Sequence, residues 1–288
     1  MFTHVFVILM ENTSLSTLET AISGGSAPNL KAWQAAYATS NNYYGVAHPS
    51  TPNYIALTSG GTQGIGCDCE AQPGHGTCVA VLDVCLTCSC DQNVTNLGDQ
   101  LEQANETWMD FGEDMGTPCN LVDSGNYAQR HNPFLYYDDI QSNATRCDSH
   151  VVDFSNFKPE TSANFNFIAP NLVDDMHNPD PTNSTNIPDG DTWLGKQVPA
   201  ILASSAYTSG GLLVIVWDED DASGGIGGTT NDPIGIWVFS PFAKSKGFVS
   251  SVKANHYSLL ATFEDGLGVG RLGSAAQASP LTDFFPAN

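Results

Sequence analysis

The sequence predicts an α/β fold with a mostly parallel central sheet and helices on both faces. Two apolar runs rich in β-branched residues, HVFVILM at residues 4–10 and GLLVIVW at residues 211–217, are typical of strands covered on both faces. Segments with helical spacing separate and follow these runs. The length of 288 residues is ordinary for one α/β domain. We therefore expect a single domain over residues 1–288, with a Cys-rich insert at about residues 62–92.

The first strand ends on two polar residues, Glu11 and Asn12. Open α/β sheets bind ligands at the carboxyl ends of their strands, so these two side chains are candidate ligand contacts. In the alternative interpretation they only begin the next turn, and Asn12 caps a helical segment over residues 14–23. Another segment with helical spacing covers residues 28–37.

Residues 39–61, TSNNYYGVAHPSTPNYIALTSGG, predict a strand, a sharp turn at HPSTP and a short helix that ends at the two glycines. Ser50 or Thr51 is expected to cap this helix. The unpaired N–H groups and the dipole of a helix start attract anions, so a hydroxyl there suits a nucleophile that attacks phosphate. A plain helix cap is the alternative interpretation.

Six of the eight cysteines lie between Cys67 and Cys90, in a Gly-rich stretch without periodicity. They indicate disulfides and an oxidising compartment. Zinc is the alternative for CDC and CLTCSC, although the spacing does not repeat as two CxxC arms. Together with four glycosylation sequons, the cysteines predict a secreted, extracellular or periplasmic protein. The sequons begin at Asn93, Asn105, Asn143 and Asn183.

Composition restricts the partners. Thirty-one acidic residues against nine Lys and Arg give a net charge of −22, which makes nucleic acid and anionic membrane surfaces poor partners. No apolar run approaches the roughly 20 residues that a membrane-spanning helix needs, so we expect no membrane span. The chain begins almost at once with a strand, so no signal peptide is predicted. The scarcity of basic residues is a hint of an enzyme that works in acid or of a salt-tolerant one.

The middle of the chain predicts a helix over residues 95–104 and a strand over residues 107–111. His131 precedes Asn-Pro in YAQRHNPFLYY and should therefore lie in a turn or loop. A strand over residues 164–169 leads into PNLVDDMH, which places His177 just past a strand end. A helix over about residues 189–203 follows.

The strand over residues 211–217 runs directly into the acidic residues of WDEDD. Two strands that each deliver carboxylates at their carboxyl ends indicate a divalent cation, because crowded carboxylates without a counter-ion repel one another. A solvated acidic loop is the alternative. A strand over residues 234–239 and a helix over residues 256–268 complete the chain.

Six motifs occur in an order that resembles a known family: HVFVILMENTS, AHPSTPNYIALTSG, YAQRHNPF, IAPNLVDDMH with GDTWL, VIVWDED and NHYSLLATFEDGLG. Their order and rough spacing are similar to those of the phosphoesterase family of bacterial acid phosphatases and phospholipases C. The resemblance covers nearly the whole chain apart from the Cys-rich insert. It implies an alkaline phosphatase-like fold, because that family resembles the alkaline phosphatase superfamily.

Carried over residue by residue, the resemblance implies a divalent metal of undetermined identity and a serine nucleophile, Ser50, that also contacts the metal. His131 and His177 would hold the phosphoryl oxygens, and one of them could protonate the leaving group. His256 would lie behind the site or be structural. The implied metal ligands are Glu11, Asn12, Ser50, Asp218 and Glu219.

Two departures from the family pattern concern the number of metal ions. Thr13 stands where many members have His, and DASGGIGGTTND replaces an acidic-aromatic-Asp-His ending. Both differences favour one ion over two.

We therefore expect a secreted, metal-dependent phosphomonoesterase of the acid phosphatase type, which acts on a small phosphorylated substrate through a phosphoserine. A phospholipase C or phosphodiesterase is the first alternative. A non-catalytic, disulfide-stapled metal-binding protein is the second. The oligomeric state and the disulfide pairing stay open.

Overall fold

The computed structural model describes residues 1–71, 80–81, 84–85, 90–177, 186–221 and 231–286. The strands of this part of the chain are β1 (Val5–Met10), β2 (Ala38–Ser40), β3 (Tyr43–Tyr44), β4 (Ala80–Val81), β5 (Val84–Cys85), β6 (Trp108–Gly112), β7 (Val151–Asp153), β8 (Phe165–Ala169), β9 (Leu212–Trp217), β10 (Ile236–Phe239), β11 (Val249–Ser250) and β12 (Ala254–Asn255). The helices are α1 (Leu15–Gly24), α2 (Pro28–Ala36), α3 (Thr51–Ser59), α4 (Leu97–Gln103), α5 (Asp138–Gln141), α6 (Ala144–His150), α7 (Asn186–Ala203), α8 (Ser205–Thr208) and α9 (His256–Leu267).

Eight of these strands form one mostly parallel sheet in the order β11-β2-β10-β9-β1-β8-β6-β7. β1 lies at its centre, parallel to both β8 and β9. Within this sheet β10 is the strand that runs antiparallel to its neighbours. Every residue of β1 and β9 is buried, as expected for strands covered on both faces. The predicted α/β fold with a mostly parallel sheet is confirmed.

Aromatic side chains attach the helices to the sheet. Trp33 of α2 and the following Tyr37 pack on Phe239 of β10, with ring centroids 5.8 and 4.5 Å apart. Phe263 of α9 packs on Phe165 of β8 at 5.7 Å. Burying one such ring contributes about 1.5–3 kcal/mol, so these contacts fix where the helices lie on the sheet.

Most predicted elements are present, and their ends differ by one to three residues. The helix after the HPSTP turn is α3, which ends where Gly60 takes a φ of 74°. A Cβ on Gly60 would lie 2.2 Å from the carbonyl oxygen of Leu272, so only glycine fits there. The cap of α1 is Ser14, whose Oγ accepts a hydrogen bond from the N–H of Thr17, and not Asn12.

The edge strand β7 was not predicted. It follows α6 and pairs in parallel with β6. Three residues are too short for a period-2 pattern, so the strand gave no signal in the sequence.

Disulfides, as predicted, join Cys69 to Cys90 and Cys119 to Cys147. Cys67 is disulfide-bonded as well. Residues 72–79, 82–83 and 86–89 of the Cys-rich insert lie outside the described residues, and the insert and the single-domain organisation stay predictions. None of the helices in the described part of the chain has the length and apolar character that crossing a membrane requires.

Candidate active site

The acidic ends of β1 and β9 lie side by side. Met10 is paired with Trp217 in the parallel register, so Glu11 and Asp218 leave the sheet at the same edge. The N–H of Asn12 donates a hydrogen bond of 2.9 Å to Oδ1 of Asp218. Asn12 has a φ of 29°, in the left-handed region that Asn tolerates better than most residues. The two strand ends are therefore linked, as their positions in the sequence suggested.

The hydroxyl of Ser50 lies among these polar side chains. Its Oγ is 3.0 Å from Oε2 of Glu11, 3.1 Å from Oδ1 of Asn12 and 3.4 Å from Oε1 of Glu219. A serine hydroxyl has one hydrogen, so it can satisfy only one of the three acceptors at a time. Ser50 is 4% exposed and Glu11 and Glu219 are buried as well, so solvent has little access to the carboxylate that the hydroxyl leaves unpaired.

The start of α3 differs from the prediction that Ser50 or Thr51 caps it. Oδ1 of Asp68 accepts hydrogen bonds from the N–H of Thr51 at 2.9 Å and from its hydroxyl at 3.0 Å. Ser50 has helical dihedral angles, φ −55° and ψ −54°, whereas a capping residue needs an extended backbone. The Asp68 carboxylate thus takes the capping role, and the Ser50 hydroxyl faces the carboxylates.

Asn53 fixes the turn that precedes Ser50. Its Oδ1 accepts hydrogen bonds from the N–H groups of Val46 and Ala47, at 2.9 and 3.1 Å. Its Nδ2 donates to the carbonyl oxygen of Ala47 at 2.8 Å. One buried side chain on α3 therefore ties the start of the turn to this helix, which limits the positions open to Ser50.

Burial makes negative charge in this cluster unfavourable. It raises the pKa of Asp218 well above the usual range, and the nearby Glu11 and Glu219 raise it further. Burial, followed by the charge of Glu11, raises the pKa of Glu219 to about 10. Among the described residues, Oδ2 of Asp218 is buried without a hydrogen-bond partner. Such a group is costly unless a cation or a proton compensates it.

His131 lies in the short 3₁₀ turn Gln129–His131, consistent with the predicted turn. Its ring stacks on Tyr54 with centroids 5.4 Å apart, and its Nε2 is 3.4 Å from Oε1 of Glu11. The hydroxyl of Tyr54 donates to the same oxygen at 2.5 Å. Burial, then the charges of Arg130 and His177, lowers the pKa of His131 well below its usual value, so the ring is neutral.

His177 approaches the same cluster from the segment after β8. Its N–H donates to Oδ1 of Asp175 at 2.9 Å, and its side chain is half-buried. Its charge lowers the pKa of both Glu11 and His131, although burial has the largest effect on each. Thr13 donates to the carbonyl oxygen of Met176 at 2.7 Å and so attaches this segment to the residues that follow β1.

Arg130 brings one of the few cations of the chain to this region. Burial is the largest single effect and lowers its pKa, but Glu11, Asp68, Asp123 and Tyr54 together outweigh burial, so the net shift is upward. The guanidinium is therefore charged beside the cluster, with Asp123 3.9 Å away. Its position in the sequence, next to His131, was the signal that it belongs to the site.

His256 lies behind the site, as the sequence suggested. Its Nε2 is 2.6 Å from the carbonyl oxygen of Asp218, and its Nδ1 is 3.0 Å from the hydroxyl of Tyr43. Burial lowers its pKa to about 4. His256 therefore contacts the backbone of Asp218, and neither of these two hydrogen bonds involves Ser50.

His48 was not singled out from the sequence. Its Nδ1 lies 2.8 Å from Oε2 of Glu219, and its Nε2 lies 3.2 Å from Oδ1 of Asp220. The signal was its place in the HPSTP turn, two residues before Ser50.

The cluster suits a hard divalent cation in the chemistry of its donors. Carboxylate, amide and hydroxyl oxygens are the ligands that Mg²⁺, Ca²⁺ and Mn²⁺ prefer. In the described part of the chain, no three His, Cys, Asp or Glu side chains are arranged so that they enclose an ion. The oxygens that converge on one hydroxyl and the unpaired oxygen of Asp218 nevertheless fit a cation. The donors would be Glu11, Asn12, Ser50, Asp218 and Glu219.

A polar groove of about 670 Å³ lies along the segment that leads to Ser50. Tyr44, Val46 and Asn231 form part of its wall, and the N–H of Asn231 also donates to Asp220. Nζ of Lys253 lies 5.0 Å from the ring centroid of Tyr44. The other side chains that line the groove include hydroxyl and amide groups, which suit a hydroxylated or anionic ligand.

A model of the Phosphoesterase family matches residues 22–270. Phosphatidylinositol-3-phosphatase of Mycobacterium tuberculosis is 29% identical over 99% of this chain and 83% of its own length. An acid phosphatase of Aspergillus fumigatus and a phosphate-repressible acid phosphatase of Penicillium chrysogenum are 26% and 24% identical, each over 81% of this chain. The chain spans about half the length of these two fungal relatives, 48% and 52%.

Solved structures agree on the fold. A protein of the alkaline phosphatase superfamily from Vibrio parahaemolyticus has a TM-score of 0.60 and 12% identity, over 99% of this chain and 72% of that one. A phosphonate monoester hydrolase from Silicibacter pomeroyi has a TM-score of 0.60 and 11% identity, over 98% and 76%. The predicted alkaline phosphatase-like fold is thereby confirmed.

Proposed function

This chain belongs to the Phosphoesterase family and is a phosphoric ester hydrolase, and we propose that it is a metal-dependent phosphomonoesterase that works through a phosphoserine at Ser50. The observation that carries the proposal is the position of the Ser50 hydroxyl. It lies within 3.4 Å of three acceptor oxygens that come from the ends of two parallel strands. A helix cap would not need that arrangement.

One divalent ion held by the five oxygen donors would lower the pKa of the serine hydroxyl and neutralise charge on a phosphoryl group. The departures at Thr13 and in the segment after Asp221 favour one ion. The hydrogen-bonding role of Thr13 supports this view, because it ties β1 to Met176 in place of any ligand role.

The residues of the chain account for the remaining steps. Oγ of Ser50 attacks phosphorus in line with the leaving oxygen; the Oγ–P bond forms and the bond from phosphorus to the leaving oxygen breaks. The hydroxyl proton passes to the nearest carboxylate, Oε2 of Glu11 at 3.0 Å. His131 and Arg130 hold phosphoryl oxygens. His177, which is half-buried and can exchange protons with solvent, protonates the leaving alcohol.

Hydrolysis of the phosphoserine completes the cycle. Water attacks phosphorus, the P–Oγ bond breaks, and the proton held by Glu11 returns to Ser50. His177 takes a proton from the attacking water and is thereby restored to the state that protonates the next leaving group. The net reaction consumes one water and releases an alcohol and inorganic phosphate.

The experiment is the substitution Ser50→Ala, assayed with a soluble phosphomonoester. We expect turnover to fall to background, while the melting temperature stays close to that of the wild type. Ser59→Ala at the other end of the same helix is the control, since Ser59 bonds the carbonyl oxygens of Ile55 and Gly61 and the side chain of Gln63 and not the acidic cluster. A phosphoryl group detected on Ser50 by mass spectrometry after acid quench would support the mechanism. Normal turnover in Ser50→Ala would overturn it.

A phosphoinositide is a second candidate substrate. The mycobacterial relative, similar over 99% of this chain, is named for phosphatidylinositol 3-phosphate hydrolysis. The polar groove beside the Ser50 segment, with Lys253 in its wall, suits the hydroxyls and charge of an inositol ring. Release of inorganic phosphate from this lipid identifies a phosphomonoesterase, whereas release of diacylglycerol identifies a phospholipase C. Ion binding without turnover of any phosphoester would support the non-catalytic alternative.

We also propose that the protein acts outside the cytoplasm, in an extracellular or periplasmic compartment. Two disulfides among the described residues support this proposal. Three of the sequons, at Asn93, Asn105 and Asn143, are exposed and thus accessible to glycosylation; the fourth, Asn183, lies outside the described residues. Mass spectrometry of the protein from its native source, before and after glycosidase, tests glycosylation.

A further inference from the structure

The turn before Ser50 buries a histidine between two acidic side chains. His48 is 4% exposed, and its two ring nitrogens face different carboxylates. Nδ1 lies 2.8 Å from Oε2 of Glu219. Nε2 lies 3.2 Å from Oδ1 of Asp220, but among the described residues it is not aligned for a hydrogen bond. The contact with Glu219 is therefore the closer and better directed one.

The two carboxylate oxygens of Glu219 contact different residues. Oε2 faces Nδ1 of His48, while Oε1 faces Oγ of Ser50 at 3.4 Å. Among the described residues, Oε2 has one further contact, the long one from Nδ2 of Asn53 at 3.5 Å. A glutamate has three rotatable side-chain bonds, so a firm contact on one oxygen is needed if the other is to stay in place.

Asp220 limits the movement of the imidazole from the other side. Its Oδ2 accepts hydrogen bonds from the N–H groups of Asn231 and Asp232, each at 3.0 Å. These two bonds to the backbone restrict the movement of the Asp220 carboxylate. The imidazole of His48 is thus held between the Asp220 carboxylate and Glu219.

We propose that His48 is a positioning residue, which uses Nδ1 to hold Glu219 with its Oε1 against the Ser50 hydroxyl. It acts through Glu219 and does not touch the phosphoryl group. Partners of this kind, one step behind the reacting groups, typically change activity about 10–100-fold when they are removed. The inference rests on the proposed role of Ser50 but concerns a residue outside the predicted site.

Two substitutions of His48 distinguish the contributions of its two ring nitrogens. The amide nitrogen of Asn reaches about as far as Nδ1, and that of Gln about as far as Nε2. His48→Asn keeps the donor that faces Glu219, whereas His48→Gln moves the donor towards Asp220. We expect kcat to fall about 10–100-fold in His48→Gln and in His48→Ala, with KM little changed, and most of kcat to be recovered in His48→Asn. His4→Asn, at the opposite end of β1, is the control and should leave kcat unchanged.

Crystal structures of the Asn and Gln variants provide a readout that does not depend on activity. We expect Oε1 of Glu219 to stay near Ser50 in His48→Asn and to turn away in His48→Gln. If His48 only fills space in the turn, the two variants lose kcat and melting temperature in parallel, and Glu219 does not move in either; that result overturns the proposal. If the wild type hydrolyses no phosphomonoester, the proposed function fails, while the position of Glu219 still decides the role of His48.

Discussion

Replacing Asp110 by Asn removes a carboxyl group that the fold buries completely behind the turn of His131. Asp110 lies in β6, where its Oδ1 accepts a hydrogen bond from Nδ2 of Asn132 at 2.7 Å and its Oδ2 accepts one from the N–H of Phe134 at 3.4 Å. Burial raises its pKa from 3.8 to about 8, and these two donors only partly oppose the shift. The group is therefore protonated in the folded protein at acid pH.

The sign of the pH dependence follows from this difference. Between pH 3.8 and about 8 the unfolded chain is ionised at Asp110 while the folded chain holds the proton, so unfolding releases a proton and becomes easier as pH rises. The stability associated with Asp110 is complete below the unfolded pKa and is lost as pH rises through the folded one. One pKa unit corresponds to about 1.36 kcal/mol, which gives a loss of at most about 4 kcal/mol between pH 5 and pH 8.

The assay is urea unfolding of the wild type and of Asp110→Asn at pH 5 and at pH 8. We expect the variant to gain stability relative to the wild type as pH rises, by up to about 4 kcal/mol. Comparing the difference between the two proteins at each pH cancels the titration of all other groups. Asp148→Asn, at an exposed position, is the control for loss of a carboxyl group. An equal difference at pH 5 and pH 8 would refute the reasoning, since it would mean that Asp110 is ionised in the folded protein.

Two further predictions concern the ion and the disulfides. Dialysis against a strong chelator should abolish phosphatase activity, and a divalent salt should restore it; full activity in metal-free protein would contradict the ligand assignment. Replacing Cys119 and Cys147 together by Ser opens a loop with a sequence separation of 28 and should lower the free energy of unfolding by about 3–4 kcal/mol. Turnover at 25 °C should be unchanged, because neither cysteine contacts the Ser50 cluster through a bond found among the described residues. Equal stability with and without the bond would contradict the loop-entropy reasoning.

The parts of the site that follow from regular structure were predictable. Glu11 and Asp218 had to lie together once two buried strands were recognised as parallel neighbours, because the carboxyl ends of such strands share one edge of the sheet. The position of Ser50 followed from the turn and helix signals at residues 39–61. These signals depend on periodicity and on local caps, which a sequence displays directly.

Contacts between loops were not predictable in the same way. Asp68 caps α3 from 17 residues further along the chain, inside a stretch without periodicity, and no local pattern distinguishes it from other acidic residues. The contact of His48 with Glu219 joins two loops that are 171 residues apart in the sequence (219 − 48). Such contacts depend on the conformations that the loops adopt when they pack on the sheet, and the residue types alone do not specify those conformations.

The electrostatics of the site lead to a final prediction about phosphate itself. A phosphoryl group that reaches Ser50 meets Glu11, Asp218 and Glu219, and Arg130 brings positive charge to this cluster, where Glu11 and Asp68 help to keep it charged. Burial and mutual repulsion favour the protonated carboxyl groups in the metal-free cluster, so that this guanidinium alone faces the charge of the phosphate dianion, whereas a divalent ion would add positive charge beside Ser50. Inorganic phosphate measured by calorimetry should therefore bind weakly to metal-free protein and at least about tenfold more tightly once Mn²⁺ or Mg²⁺ is added, which corresponds to about 1.4 kcal/mol. Arg130→Gln should weaken binding in both conditions, whereas Arg271→Gln, in an exposed ion pair with Asp265, should not. Equal affinity with and without the ion would show that the chain's own cations suffice, and the acidic cluster would then need another explanation.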